Sequence, residues 1–170
     1  MSKDSKKKPA AKGGKFNYDI RPEAGKGGGK PAVEWQKAAA DALAAATADA
    51  ALAAAVASKA AADDLLAEVK PAYGGDPVAL AKIAAASQFV MRADAPRGAR
   101  KTWTQALLDR AASSDDSYIK IFCLDQIRWC GSAGDAARVR AIGDAGRKPV
   151  REFAAMAARE LSGDRIGMSK

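Results

Sequence analysis

A helix-like stretch near the end of this chain occurs twice, and its two copies lie 31 residues apart. Residues 119–123 align with residues 150–154, and in the same register Arg128 aligns with Arg159. Self-similarity at such a spacing is typical of stacked helical hairpins, in which each unit buries its apolar face against the next one. Proteins built this way commonly hold a binding partner. The repeat therefore predicts an all-α chain and favours a binding function over a catalytic one.

Composition argues against most enzyme classes. The 170 residues include no histidine, which is the commonest general base and the commonest metal ligand. Cys123 and Cys130 are seven residues apart on one predicted helix, roughly 10 Å along its axis, so they cannot bridge each other within it. Without histidine or another cysteine pair, neither thiol has the partners that a metal site or a nucleophile needs. We therefore expect core cysteines, no metal, no cofactor and no enzymatic activity.

Positive charge is concentrated at the N-terminus. The formal net charge is +8, and residues 1–30 hold nine lysines and arginines against three acidic residues. Their composition predicts a disordered leader, because it cannot bury enough apolar area to offset the entropy of ordering. The leader either keeps the protein soluble or binds nucleic acid without sequence preference, as its resemblance to the tails of linker-histone-like proteins implies. The lysines that would carry the second function are Lys6, Lys7, Lys8, Lys12 and Lys15.

An alanine-rich segment follows the leader. Residues 31–70 lack glycine and are rich in alanine, the strongest helix former, which predicts one long or kinked helix. A break near residues 58–62 is the alternative, because Leu43 and Leu52 would point to nearly opposite sides of a straight helix. The chain then divides into a leader (1–30), an alanine-rich helix (31–70), a region of helical repeats (71–163) and a polar tail (164–170).

Local signals predict several helices after residue 70. Asp76 and Pro77 are suited to the N-cap and first position of a helix, and Gly131 is suited to end one. The helix before Gly131 is apolar almost all round, so we expect it to be covered on every side, with Trp103 and Trp129 among the core anchors. The predicted helices span residues 77–91, 97–112, 118–130, 135–142 and 149–161.

Three runs within this region carry a family resemblance: LDQIRWCG (124–131), GDAARVRAIGD (134–144) and RKPVREFAAMAAREL (147–161). They resemble HEAT-like repeats, particularly the short bacterial kind, over roughly residues 77–161. The resemblance implies an α-solenoid fragment, a stack of helical hairpins with first helices at 77–91, 118–130 and 149–161 and second helices at 97–112 and 135–142. The array is irregular, since its spacings are 31 and 41 residues where common HEAT and armadillo repeats have about 40.

The leading functional interpretation is a non-catalytic protein–protein interaction scaffold, and the alternative is a nucleoid-type nucleic-acid-binding protein that acts through the leader. Three first helices but only two second helices leave the apolar stripe of the last helix without a partner on one side. We therefore expect residues 149–161 to be covered by the C-terminal tail or to dock on another subunit or protein. The candidate partner-binding residues are Trp103, Arg128, Arg151 and Arg159.

Charged residues in the repeated helices allow two interpretations. Asp125 and Arg128 lie one turn apart, and Arg151 and Arg159 occur in the neighbouring repeat. They form either a charged ligand groove or an ion-pair ladder between stacked repeats. The ladder is favoured, because a charge buried without a partner is costly. It predicts that Asp125→Ala severely lowers stability.

No membrane-spanning segment is expected. The alanine-rich run is long enough, but Asp41, Asp49 and Lys59 interrupt it, and alanine is only weakly lipophilic. The N-terminal lysines are not followed by the apolar stretch of a secretory signal. Together with the two free thiols, these features favour the cytoplasm, and export would require a signal peptide removed ahead of this sequence.

Overall fold

The computed structural model describes residues 31–70 and 77–163, and these ranges are almost entirely helical. They contain no strand, which confirms the all-α prediction for the described part of the chain. The predicted leader and polar tail lie outside the described residues. The helices are α1 (Pro31–Ala46), α2 (Asp49–Ala55), α3 (Lys59–Ala67), α4 (Pro77–Phe89), α5 (Ala99–Ser113), α6 (Ser117–Cys130), α7 (Ala136–Asp144) and α8 (Lys148–Leu161), with a 3₁₀ turn at Ala133–Asp135 before α7.

The alanine-rich segment forms three helices, which corrects the prediction of one long or kinked helix. Just after α1, the Thr47 hydroxyl donates to the Leu43 carbonyl at 2.8 Å, and the Ser58 hydroxyl caps α3 by accepting from the Ala61 amide at 3.2 Å. A straight helix would point Leu43 and Leu52 to nearly opposite sides. The breaks instead let Leu52 enter the core, where it is buried. Burial of a few large side chains therefore outweighs the helix propensity of alanine in this segment.

The helices pack in two rows. In one row α2, α4, α6 and α8 follow one another, each in contact with the next, and in the other row α3, α5 and α7 do the same. The rows are joined because α5 packs on α6 and α7 packs on α8. One apolar core runs between the rows and includes residues from α2 to α8. As a result α6 has α4, α5 and α8 as neighbours.

The last helix, α8, has neighbours in both rows. It packs on α6 and on α7, and its apolar stripe, which includes Val150, Ala154 and Ala157, is buried. The expected gap on one side of this stripe is therefore not found. Docking through residues 149–161 stays a prediction, and it would rest on the exposed Met156 rather than on the stripe.

Small residues let α7 and α8 approach each other closely. A Cβ atom added at Gly143 would lie 2.6 Å from the Cβ atom of Ala154, a distance that real side chains do not tolerate. Gly143 is needed here because it has no Cβ atom, and the crossing of the two helices is fixed as a result.

Charged side chains connect the helices of the second row. Asp109 on α5 accepts a hydrogen bond from Arg138 on α7 at 2.8 Å, and its carboxylate lies 3.2 Å from Lys59 on α3. Burial opposes ionisation of this carboxyl group. The hydrogen bonds from Arg138, Lys59 and Gln105 outweigh that effect, so the pKa of Asp109 is lowered. One carboxylate thus bridges three successive helices of this row.

A helix that crosses a bilayer must be both long and apolar. No single helix in residues 31–70 or 77–163 is long and apolar enough to cross a membrane. The segments Gln36–Ala46 and Asp49–Ala55 meet the requirement only when they are counted together, and they are bent by 58° relative to each other.

Candidate functional site

Trp103, which the sequence suggests both as a core anchor and as a candidate partner-binding residue, lies in the core. Its side chain is 0% exposed, and its indole Nε1 donates to the Ser87 hydroxyl of α4 at 2.9 Å. Its helical neighbours Ala99, Ala106 and Leu107 on α5 are buried as well. Trp103 is therefore removed from the candidate partner-binding surface. It anchors α5 against α4 instead.

Arg128 connects α6 to α8. Its guanidinium donates to both carboxylate oxygens of Glu160, at 2.8 and 3.1 Å, and to Asp125 at 2.9 Å. The hydrogen bond that Arg128 donates to Glu160 is the main reason that the pKa of Arg128 is raised. The same guanidinium lies 5.7 Å from the centre of the Phe153 ring and 6.0 Å from that of Trp129. In this network Asp125 and Arg128 pair as the predicted ion-pair ladder requires, but the partner of Arg128 on α8 is Glu160 and not Arg151 or Arg159.

Arg151 and Arg159 do not join that network. They lie on the side of α8 that faces α7 and share a groove there with Arg140, with a cavity volume of about 370 Å³. The structure thus brings together two of the four predicted partner-binding residues and separates them from Arg128. We refer to this site as the arginine groove, lined by Arg140, Gly143, Asp144, Arg151, Ala154, Ala155 and Arg159.

Trp129 was expected in the core, but it is 66% exposed. It lies in the last turn of α6, on the side that also carries Tyr118, Phe122 and Asp125. The rings of Tyr118 and Phe122 stack there, with centroids 6.4 Å apart. The sequence contains a signal that indicates exposure of this side, because the charged Asp125 falls within the aromatic stripe at helical spacing.

A groove separates α4 from α6 beside Trp129. It has a cavity volume of about 520 Å³, within the range of typical ligand pockets, and its lining is mainly apolar. Met91, just after α4, is the other exposed large apolar side chain in the lining. We refer to this site as the Trp129 groove, lined by Ala84, Ser87, Gln88, Met91, Gln126 and Trp129.

Gln126 gives the Trp129 groove a polar group. The residue is only 7% exposed, and no residue in the described part of the chain hydrogen-bonds its side-chain amide. Its amide atoms are not enclosed, because Arg110 Nε is the one buried side-chain N or O atom without a hydrogen-bond partner in the described residues, so they are open to an added hydrogen-bond partner. A molecule that enters the groove can supply one through a carbonyl or an N–H group. The groove therefore combines apolar walls with one amide that can fix the orientation of a bound segment.

Neither cysteine is suited to nucleophilic chemistry. Both are buried, and burial raises the pKa of the Cys123 thiol to about 12 and also raises that of Cys130. The thiolate is the reactive form, so both groups are protonated and unreactive at neutral pH. Within residues 31–70 and 77–163, no three cysteine or acidic side chains are arranged to hold a metal ion.

The nucleic-acid alternative involves residues that the structure does not describe. Lys6, Lys7, Lys8, Lys12 and Lys15 all lie outside the described residues. That interpretation therefore stays a prediction from the sequence. No protein-family model, no curated protein and no solved structure matches this chain.

Proposed function

We propose that this chain is a non-catalytic protein–protein interaction scaffold built from HEAT-like repeats, and that its partner binds in the Trp129 groove. The observation that carries the proposal is the exposure of Trp129 at the edge of a cavity between two helices. Exposing a tryptophan to water is unfavourable, because this side chain has a large apolar surface. A partner that covers the indole would remove that cost.

The order of packing supports the repeat assignment. The predicted first helices correspond to α4, α6 and α8, which contact one another in that order. The predicted second helices correspond to α5 and α7, which also contact each other. Contacts between successive units are what a solenoid requires, since each repeat buries its apolar face against its neighbour. The irregular spacing of the repeats along the sequence comes mainly from the second helices, 15 residues in α5 and 9 in α7, and also from the longer connection between α4 and α5.

The residues around the cavity support a peptide segment as the occupant. Tryptophan is over-represented among the residues that dominate binding energy at protein interfaces. Met91 adds a flexible apolar wall that adapts to different side chains. The Gln126 amide can donate to or accept from a peptide backbone. We therefore expect a partner segment that inserts one large apolar side chain and places a backbone amide group next to Gln126.

The state of the thiols supports a function without catalysis. The protonated, buried Cys123 and Cys130 lack the thiolate that a cysteine nucleophile needs. The chain also contains no histidine to act as a general base near neutral pH. Binding is the function that the remaining features of the surface support.

Selection of phage-displayed random peptides of about 12 residues, with the full-length protein as bait, tests the proposal. We expect enriched peptides to share a large apolar residue. Trp129→Ala should weaken the binding of a synthetic copy by at least about tenfold. Met156→Ala removes a different exposed apolar side chain on α8 and serves as the matched control, with an affinity within about twofold of the parent.

Two results would overturn this assignment. One is a selection that enriches no peptide above a bait-free control. The other is a set of peptides that Trp129→Ala binds as tightly as the parent, which would place the binding surface elsewhere. Thermal unfolding of both variants, followed by circular dichroism, establishes that any loss of binding is not a loss of fold.

A further inference from the structure

The arginine groove has an excess of positive charge. Arg140 from α7 and Arg151 and Arg159 from α8 line it, and Asp144 is the only acidic residue in the lining. No carboxylate in the described part of the chain forms an ion pair with any of these three arginines. The one hydrogen bond among them joins Arg140 to the Ser162 hydroxyl at 3.4 Å. Their guanidinium groups are therefore available to an anion.

Five other arginines of the described residues show what a structural role looks like. Arg100 donates through its Nε atom to the Cys130 carbonyl at 2.7 Å, and Arg110 donates to the Val69 carbonyl. Three others bind carboxylates, and these are Arg92, Arg128 and Arg138. Arg140, Arg151 and Arg159 join no helices together in this way. The stability of the fold therefore does not explain why these three arginines are grouped in one groove.

Packing of the helices shapes the groove. The close contact between Gly143 and Ala154 fixes the crossing of α7 and α8 and leaves only small side chains at the base. Arg151 and Arg159 are eight residues apart on α8, so they are separated by roughly 12 Å along its axis. Each strand of a nucleic-acid duplex carries a phosphate every ~3.4 Å of the duplex axis, so two arginines at this spacing can reach different phosphates.

We propose that the arginine groove binds the phosphodiester backbone of a nucleic acid. Guanidinium groups match phosphate oxygens with paired hydrogen bonds, which makes arginine the residue best suited to such contacts. The lining contains no large apolar or aromatic side chain that would stack on a base, so the groove contacts the backbone and does not read the sequence.

The charge of the leader supports a nucleic acid rather than a segment of this chain as the occupant. Residues 1–30 carry nine basic residues against three acidic ones, so they are repelled by the groove. A long polyanion instead attracts both regions and can contact them together. The groove shares no residue with the Trp129 groove, so this proposal does not depend on the proposed scaffold function.

Fluorescence anisotropy with the full-length protein and a labelled duplex of about 20 base pairs tests the groove, between roughly 50 and 200 mM salt. The test variant combines Arg140→Gln, Arg151→Gln and Arg159→Gln. The matched control combines Lys37→Gln, Arg97→Gln and Lys101→Gln, which removes the same charge from exposed residues outside the groove.

We expect the groove variant to bind at least about tenfold more weakly at ~100 mM salt, with a salt slope smaller by about two to three. The control should stay within about threefold of the parent. Equal weakening of both variants would contradict the proposal, because it would show that only net charge matters. No measurable binding to the duplex by the parent would also contradict it. Tighter binding of an acidic peptide such as polyglutamate than of the duplex would assign the groove to an acidic protein instead.

Discussion

Trp103 and Trp129 lie on either side of the same stretch of α4, and their surroundings are opposite. Trp103 is completely buried and donates its indole N–H to the Ser87 hydroxyl. Trp129 is 66% exposed and lies across a groove whose lining also includes Ser87. The same stretch of α4 thus contacts Trp103 in the core and also lines the Trp129 groove. The interior of the fold positions the Trp129 groove, so stability and binding should respond to different residues.

The largest expected effect is the loss of Trp103. Trp103→Ala should lower the free energy of unfolding by about 3 to 5 kcal/mol, because it leaves a cavity in the core and removes a buried hydrogen bond. Trp129→Ala, the matched change at the surface, should change it by less than about 0.5 kcal/mol. Urea unfolding of both variants measures the difference. Similar losses of unfolding free energy in the two variants would show that Trp103 and Trp129 do not differ in their contribution to stability.

The reactivity of the cysteines gives the next test of the interior. Burial raises the pKa of Cys123 from its ordinary value of 9.0 to about 12, so iodoacetamide should alkylate the folded protein at pH 8 about a hundredfold more slowly than the urea-unfolded chain. Because the folded-state pKa is the higher one, the contribution of this thiol to stability is complete below pH 9. It is lost as the pH rises toward 12.

Mass spectrometry of samples quenched over time measures that alkylation rate, and the variant Cys123→Ser reports on Cys130 alone. Equal rates in the folded and unfolded states would show that the interior beside α6 is open to solvent. In that case the interior would not be rigid enough to position the Trp129 groove.

Ser87 lies in the stretch of α4 that contacts Trp103 and lines the Trp129 groove, so its substitution tests the link between the two regions. Ser87→Ala leaves the indole N–H of Trp103 without its partner in the core, and it should lower the free energy of unfolding by about 1 to 2 kcal/mol. The gain in helix propensity offsets only a few tenths of this, at most ~0.5 kcal/mol. Ser113→Ala changes an exposed serine of α5 and is the matched control, for which no comparable loss is expected. Thermal unfolding followed by calorimetry distinguishes the two.

The smallest effect concerns the surface network beside Trp129. The sequence predicts that Asp125→Ala severely lowers stability, but the side chain of Asp125 is 40% exposed and Arg128 keeps Glu160 as a partner. We therefore expect a loss of no more than about 1 kcal/mol, the usual value of an exposed ion pair. Chemical unfolding with Asp115→Ala as the control measures it. A loss of unfolding free energy above about 3 kcal/mol would instead agree with the severe loss of stability that the sequence predicts.

Local signals in the sequence predict the helices well, and tertiary contacts explain where they do not. Pro77 begins α4 and Gly131 follows the end of α6, as their preferences at helix termini predict. The sequence does not predict the break at residues 47–48, and it gives the break at residues 56–58 only as an alternative near residues 58–62, because both depend on where Leu52 can be buried. Alanine propensity carries no information about that position.

The candidate sites were only partly predictable for the same reason. Arg151 and Arg159 were identified as candidates, but their separation from Arg128 depends on which side of α8 faces α6 and which faces α7. Trp103 and Trp129 each occur in an apolar helical stripe, so pattern alone gives both the same environment. The neighbours of each stripe decide which tryptophan is buried, and only the packed structure contains that information.

The most direct test of the scaffold proposal is a nuclear magnetic resonance titration of the indole N–H signals with the peptide that selection yields. Trp129→Phe and Trp103→Phe assign the two signals of interest. We expect the Trp129 signal to shift progressively as the peptide binds, while the Trp103 signal, shielded by burial and bonded to Ser87, stays in place. Saturated peptide binding with no change at Trp129 would contradict the proposal that its groove is the binding site.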